Sequence, residues 1–160
     1  MLISTLGEKA FQLAGQVADG ALSWVCPVPY LLHTGISALR ASSAAVGRAA
    51  PPLVAHVPVA LSEDLGSVLD GGHQMLDFYA KVPFYANMFT NAGLPSTDDQ
   101  QAVSDDLVEG LVIWGNEAAV AARLTELLEA GLDEIMVSLV PTAGKGDDEQ
   151  IRLAHLIGRL

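Results

Sequence analysis

Gly7–Pro29, GEKAFQLAGQVADGALSWVCPVP, decides the fold. A glycine opens a helix over about Glu8–Val17, Asp19-Gly20 turns the chain, and Ala21–Cys26 runs without a charge into a proline loop. Phe11, Leu13, Ala14 and Val17 place an apolar face at helical spacing. The uncharged run has the pattern of a strand buried on both faces of a parallel sheet. Helix, turn, strand and loop make one unit of an α/β protein, whose active edge lies at the strand's C-terminal end.

The same unit repeats outward. Upstream, Met1–Thr5 reads as the tail of a strand. Downstream, Pro27 and Pro29 predict an extended loop, followed by an Ala-rich helix over about Tyr30–Val46 that Gly47 ends. Leu53–Leu61 is a second buried strand, and Pro58 within it predicts a bulge or an end of pairing. Ser62-Glu63-Asp64 starts a helical region that Gly71-Gly72 and Pro83 divide into Leu65–Leu69, His73–Lys81 and Phe84–Asn91. Gly93-Leu94-Pro95 ends it. Ser96–Gln101 reads as a polar link, with a short helix about Val103–Gly110 after it. Asn116 caps a helix over Glu117–Ala130, Glu134–Val140 is a third complete strand, and Pro141–Asp148 is a loop before a closing helix, about Asp148–Arg159. Strands alternating with helices argue for parallel βα units.

Composition bounds the function. The 160 residues are 51% hydrophobic and 17% charged, enough for one domain with a core. Net charge is −11 with eight Lys and Arg, so a phosphate-tracking nucleic-acid surface is not expected. Mean hydropathy is +0.36, yet the uncharged runs are too short and proline-rich to span a bilayer. The first residues show no secretory signal, and a single cysteine fits a reducing, cytoplasmic setting. Four scattered histidines show no metal-ligand spacing.

LGEKAFQLAGQVADGALSWVCPVPYL, PPLVAHVPVAL, VPFYANMFTNAG and LVIWGNEAAVAARLTELLEAGLDEIMV, in that order, resemble the luciferase-like monooxygenase superfamily. The likeness is strongest to its oxidoreductases that use the deazaflavin coenzyme F420. It implies the C-terminal half of a (β/α)8 TIM barrel as a single domain, strands five to eight with an insertion after strand seven. Strand five would be Met1–Thr5, strand six Ala21–Cys26, strand seven Leu53–Leu61 and strand eight Glu134–Val140. The resemblance implies hydride transfer with F420, or monooxygenation with FMN, on a small-molecule substrate, and association as a homodimer or with a complementary half-barrel. A non-catalytic half-barrel serving as an interaction or assembly protein is the competing expectation.

The implied cofactor residues are Thr5, Leu6 and Gly7, at the strand-five exit, and Trp24 and Cys26, near the end of strand six. Backbone N–H groups at a helix start suit a phosphate or ribityl oxygen. Pro27 stands where a basic residue would aid phosphate binding. Each candidate has a plainer reading: an ordinary turn at Gly7, a core aromatic at Trp24 and a small buried hydrophobe at Cys26. His56 reads as a satisfied core histidine, the alternative being a barrel-lining hydrogen bond to cofactor or substrate. His33 and His73 read as surface or packing residues, and Tyr79, Phe84 and Tyr85 as packing aromatics. Lys145 follows strand eight and is a candidate phosphate contact. Asp98, Asp99, Asp105, Asp106 and Glu109 read as a solvated face. Catalytic residues and a metal site are not assigned.

Overall fold

The computed structural model describes residues 1–94, 103–142 and 146–160. The expectations at Pro95, Ser96–Gln101, Asp98, Asp99 and Lys145 lie outside the described residues. In chain order the elements are β1 (Leu2–Ser4), α1 (Glu8–Val17), β2 (Gly20–Ser23), α2 (Val28–Tyr30), a π-helical turn (Leu31–Gly35), α3 (Ile36–Ala45) and β3 (Leu53–Ala60). They continue as α4 (Leu65–Ala80), α5 (Pro83–Asn91), α6 (Asp105–Leu111), β4 (Ile113–Trp114), α7 (Glu117–Glu129), β5 (Glu134–Leu139) and α8 (Gly146–Ile157).

All strand pairs among the described residues are parallel. β3 is central, with β5 along Val54–Val59 and β2 along Leu53–Ala55. β1 pairs with β2. The two-residue β4, which sequence periodicity does not reveal, pairs with Val59 and Ala60. Pro52 and Ala60 turn their carbonyls toward β2 and β4, where Ala21 and Gly115 N–H groups donate. Val59 faces the other way, accepting from Val140. Pro58 shares the first edge and falls between the end of the β2 pairing and the start of β4. Its missing N–H costs no ladder bond, so the strand runs through the proline and pairing stops on one edge only.

Side chains alternate between the sheet's faces. Ala21, Ser23, Leu53, Ala55, Val57 and Val59 are buried with Phe11, Ala14 and Leu39 in the core. Leu2, Ser4, Leu22, Val54, Met136 and Ser138 share the opposite face through the register, and none of these six is fully buried.

Three local expectations change. Gly71-Gly72 does not break a helix, because α4 runs unbroken through both. A Cβ on Gly71 would stand 2.5 Å from the Pro141 carbonyl oxygen, and one on Gly72 2.3 Å from Val108 Cγ1. The pair serves close packing against the β5 exit and α6. Pro29 lies in the first helical turn rather than in an extended loop, where its fixed φ is tolerated. The helix from Val28 to Ala45 includes the π turn beside Gly35, whose face meets the Phe11 ring. Strand β2 ends at Ser23 instead of Cys26, for a reason that belongs to the site.

Candidate functional site

Val25 has φ of 51°, the left-handed region that a β-branched residue rarely occupies. That turn takes the chain away from β3 and ends the β2 ladder. Its N–H, no longer paired in the sheet, donates to His56 Nδ1 at 3.2 Å. An accepting Nδ1 leaves the proton on Nε2, which donates to Ser138 Oγ at 2.8 Å. His56 is 1% exposed, and burial pushes its imidazole down to about 4. The ring is therefore neutral at pH 7, with both nitrogens engaged, and ties the middle of β3 to the end of β2 and to β5.

Trp24 stacks on the His56 ring, centroids 3.8 Å apart and planes 11° from parallel. Its Nε1–H donates to Tyr79 Oη at 2.8 Å. Tyr79 in turn meets Tyr85 edge-on, so α4 and α5 brace the end of β2. Trp24 keeps part of its surface open on the sheet's less covered face. The expectation of a satisfied histidine at position 56 matches its contacts. The Trp24–His56–Ser138 arrangement has no local sequence signature, since Trp24 follows β2 while His56 lies on β3 and Ser138 on β5, far apart in the chain.

The other candidates separate. β1–β2 pairing puts Thr5, Leu6 and Gly7 at the same end of the sheet as Trp24. Thr5 is fully buried, and its N–H and hydroxyl both donate to the Leu22 carbonyl, at 2.8 and 3.3 Å. Leu6 packs against the core. Gly7 is the exposed N-cap of α1, with nothing within 4 Å of a Cβ built on it, so the backbone of the first turn is open to an approaching group. Cys26 is 2% exposed, its Sγ lies 3.6 Å from Met88 Sδ, and burial pushes its thiol up to about 12. It is a packed hydrophobe and no nucleophile.

His33 is exposed on the π turn, and His73 pairs with Asp105 across α4 and α6 at 2.7 Å. Asp105, Asp106 and Glu109 are exposed, as a solvated face requires. Beyond β5, α8 starts with Asp147, Asp148 and Glu149. Glu149 is buried, accepting from the Thr142 N–H at 3.1 Å and from its hydroxyl. Three acids in the first turn oppose an anion there. The α1 start carries one acid, Glu8, with Lys9 beside it, and is the less hostile of the two.

Residues 1–134 match the sequence profile of the luciferase-like monooxygenases. The chain belongs to that family. No protein of curated function matches it by sequence. Among solved structures, it is similar to an F420-dependent secondary alcohol dehydrogenase in complex with an F420-acetone adduct, with TM-score 0.68 at 15% identity, over 98% of this chain and 48% of that one. It is also similar to the coenzyme F420-dependent tetrahydromethanopterin reductase from Methanopyrus kandleri, with TM-score 0.64 at 18% identity, over 88% and 44%. A third is the FMN-bound oxygenating constituent of 3,6-diketocamphane monooxygenase from Pseudomonas putida, with TM-score 0.60 at 16% identity, over 98% and 45%. This luciferase-like chain thus spans about half the length of the structures it matches. No helix among its described residues is long and apolar enough to cross a membrane.

Proposed function

We propose that β1, β2, β3 and β5 are strands five to eight of a luciferase-like barrel, and that their C-terminal ends form one wall of a deazaflavin site in an F420-dependent oxidoreductase acting on a small molecule. The observation that carries this reading is that Trp24 and the open α1 start at Gly7 share one sheet end in a family member. Two of the similar structures are named for F420, and one holds FMN, which is the alternative cofactor.

The residues present suit such a group in part. Trp24 offers a flat apolar surface already fixed by the His56 stack and the Tyr79 hydrogen bond. The α1 first turn offers backbone N–H groups and the helix dipole to a phosphate or ribityl oxygen, with Lys9 near. Cys26 and the Thr5 side chain are committed to the protein interior and make no such contact. F420, when bound, supplies hydride transfer at C5 of its ring. The contribution of this wall is orientation. His56, with both nitrogens engaged, is not a free base.

The test is a titration of the purified chain with F420 and with FMN, followed by fluorescence quenching. Saturable binding of F420, weakened at least tenfold in Trp24→Ala, supports the proposal. Preference for FMN reassigns the cofactor. No binding of either by folded protein overturns the enzyme reading and leaves an interaction protein.

A further inference from the structure

The wall described above belongs to a sheet whose two outer strands, β1 and β5, each pair on one side only among the described residues. Open strand edges with apolar flanks invite pairing with another chain. The flanks of the two edges differ in shape.

Beside β1 stands a ridge. Gly15 of α1 faces α3, for a Cβ there would lie 2.4 Å from the Leu39 carbonyl oxygen. At about 100° per residue, Leu13 and Val17 fall on the flank of α1 turned away from α3, and so toward the β1 edge. Both are about half exposed, at 50% and 53%. Beside β5 lies a slot. Val137, Leu139 and Pro141 form one side, and Gln150, Ala154 and Ile157 of α8 form the other, around a volume of about 590 Å³. Ile157 is 40% exposed.

We infer that the partner closing this sheet is a second copy of the chain. The β1 edge of each copy would pair with the β5 edge of the other, and the Leu13–Val17 ridge would seat in the β5–α8 slot. One observation favours a second copy over an unlike chain. One chain carries both the ridge and the slot, on strands running in the same direction, so a two-fold operation joins both edges at once and keeps every strand parallel. Closure would cover Leu2, Leu22, Val54 and Met136 and place two Trp24 walls around one interior. The inference rests on the half-barrel reading of the preceding subsection.

Sedimentation of the purified chain at micromolar concentration reads the assembly, and disulfide trapping reads the geometry. Cys26 is the only cysteine and is buried, so added thiols report alone. The expected results are twice the chain mass, and a covalent dimer when Leu13→Cys and Ala154→Cys proteins are mixed under oxidising conditions but not when either is oxidised by itself. Leu13→Glu with Val17→Glu is expected to halve the mass with an unchanged far-UV spectrum, because both side chains are half exposed in the single copy. A stable wild-type monomer overturns the inference, as do open-ended polymers or a dimer that the cysteine pair does not trap. A monomer that binds F420 leaves the cofactor reading standing while the pairing fails. A trapped dimer that binds neither cofactor does the reverse.

Discussion

Acid should loosen the end of the sheet through one imidazole. His56 is held neutral by its surroundings: Val25 N–H points at Nδ1, and a proton there would set two donors against each other. Burial lowers its ionisation to about 4, against about 6.5 in an unfolded chain. Between those values the unfolded state binds the extra proton, so stability falls as pH falls. The contribution is fully present above about pH 6.5 and is lost as pH drops through about 4. A depression of this size corresponds to about 3 kcal/mol at 1.36 kcal/mol per pH unit. His56→Phe keeps a ring against Trp24 and removes the titration. It also strands the buried Val25 N–H, at a cost of about 1–3 kcal/mol near pH 7.

Denaturant unfolding of both proteins from pH 7 to pH 4 gives the comparison. Wild type starts more stable, and its advantage shrinks by about 3 kcal/mol toward pH 4, which closes or inverts the gap. Should the variant not fold, long-range ¹H–¹⁵N spectra of wild type carry the same question. The expected pattern is a proton on Nε2 alone and no titration between pH 6 and 7. A midpoint near 6.5, or a proton on Nδ1 at neutral pH, would refute the assigned hydrogen bonds and the neutral latch with them.

Other substitutions probe the packing and the wall. Gly72→Ala puts a methyl 2.3 Å from Val108 Cγ1 and should lower unfolding stability by about 1–3 kcal/mol, measured by urea titration. Phe11→Ala empties a fully buried site between α1 and Gly35 and should cost about 3–5 kcal/mol in the same assay. Gly7→Ala should leave stability within about 0.5 kcal/mol, because φ is −91° and the added methyl meets nothing within 4 Å. A loss of F420 binding in that folded variant then reports close approach of the cofactor to the α1 start. Tyr79→Phe should cost about 0.5–1.5 kcal/mol by freeing Trp24 Nε1–H, with a change in tryptophan emission as the second readout.

Periodicity made the α/β order legible, and α1 was readable to its ends from the spacing of Phe11, Leu13, Ala14 and Val17, although only Phe11 and Ala14 of these are buried and Leu13 and Val17 stand half exposed. Asn116 and the Ser62-Glu63-Asp64 run announced their helices by side-chain chemistry; Asn116 accepts the expected backbone N–H bond, and within the run it is Asp64 that accepts one. The misreadings share a cause. Gly71-Gly72 and Pro29 have strong local meanings, yet their surroundings decide them: Pro141 and Val108 press on the glycines, and the proline sits in the first turn of a helix. Pro58 kept its expected meaning on one edge, where pairing stops. Trp24 was visible as a candidate from its place at a strand end. Its lock to His56, Ser138 and Tyr79 was not, because those partners stand on other elements and nothing local to position 24 selects them.

That lock bears on how the wall works. A valine held at positive φ costs on the order of 1–3 kcal/mol, while one hydrogen bond returns about 0.5–1.5 kcal/mol net. The Val25–His56 bond alone therefore does not hold the turn. The remainder comes from the ring stack and from the Trp24–Tyr79 bond, which fix the same three residues from another side. The turn points Trp24 across the sheet and sends Cys26 inward to Met88, so the strained residue separates the ring-facing side chain from the core-facing one. A wall already set this way gives up little conformational freedom when a planar ligand lies against it. Loss of His56 should accordingly weaken F420 binding more than the removed contacts would suggest, since His56 stands behind Trp24. Recovery of affinity in His56→Asn, whose side chain can again accept from Val25, would place the effect in the turn; no recovery would place it in the stacked ring.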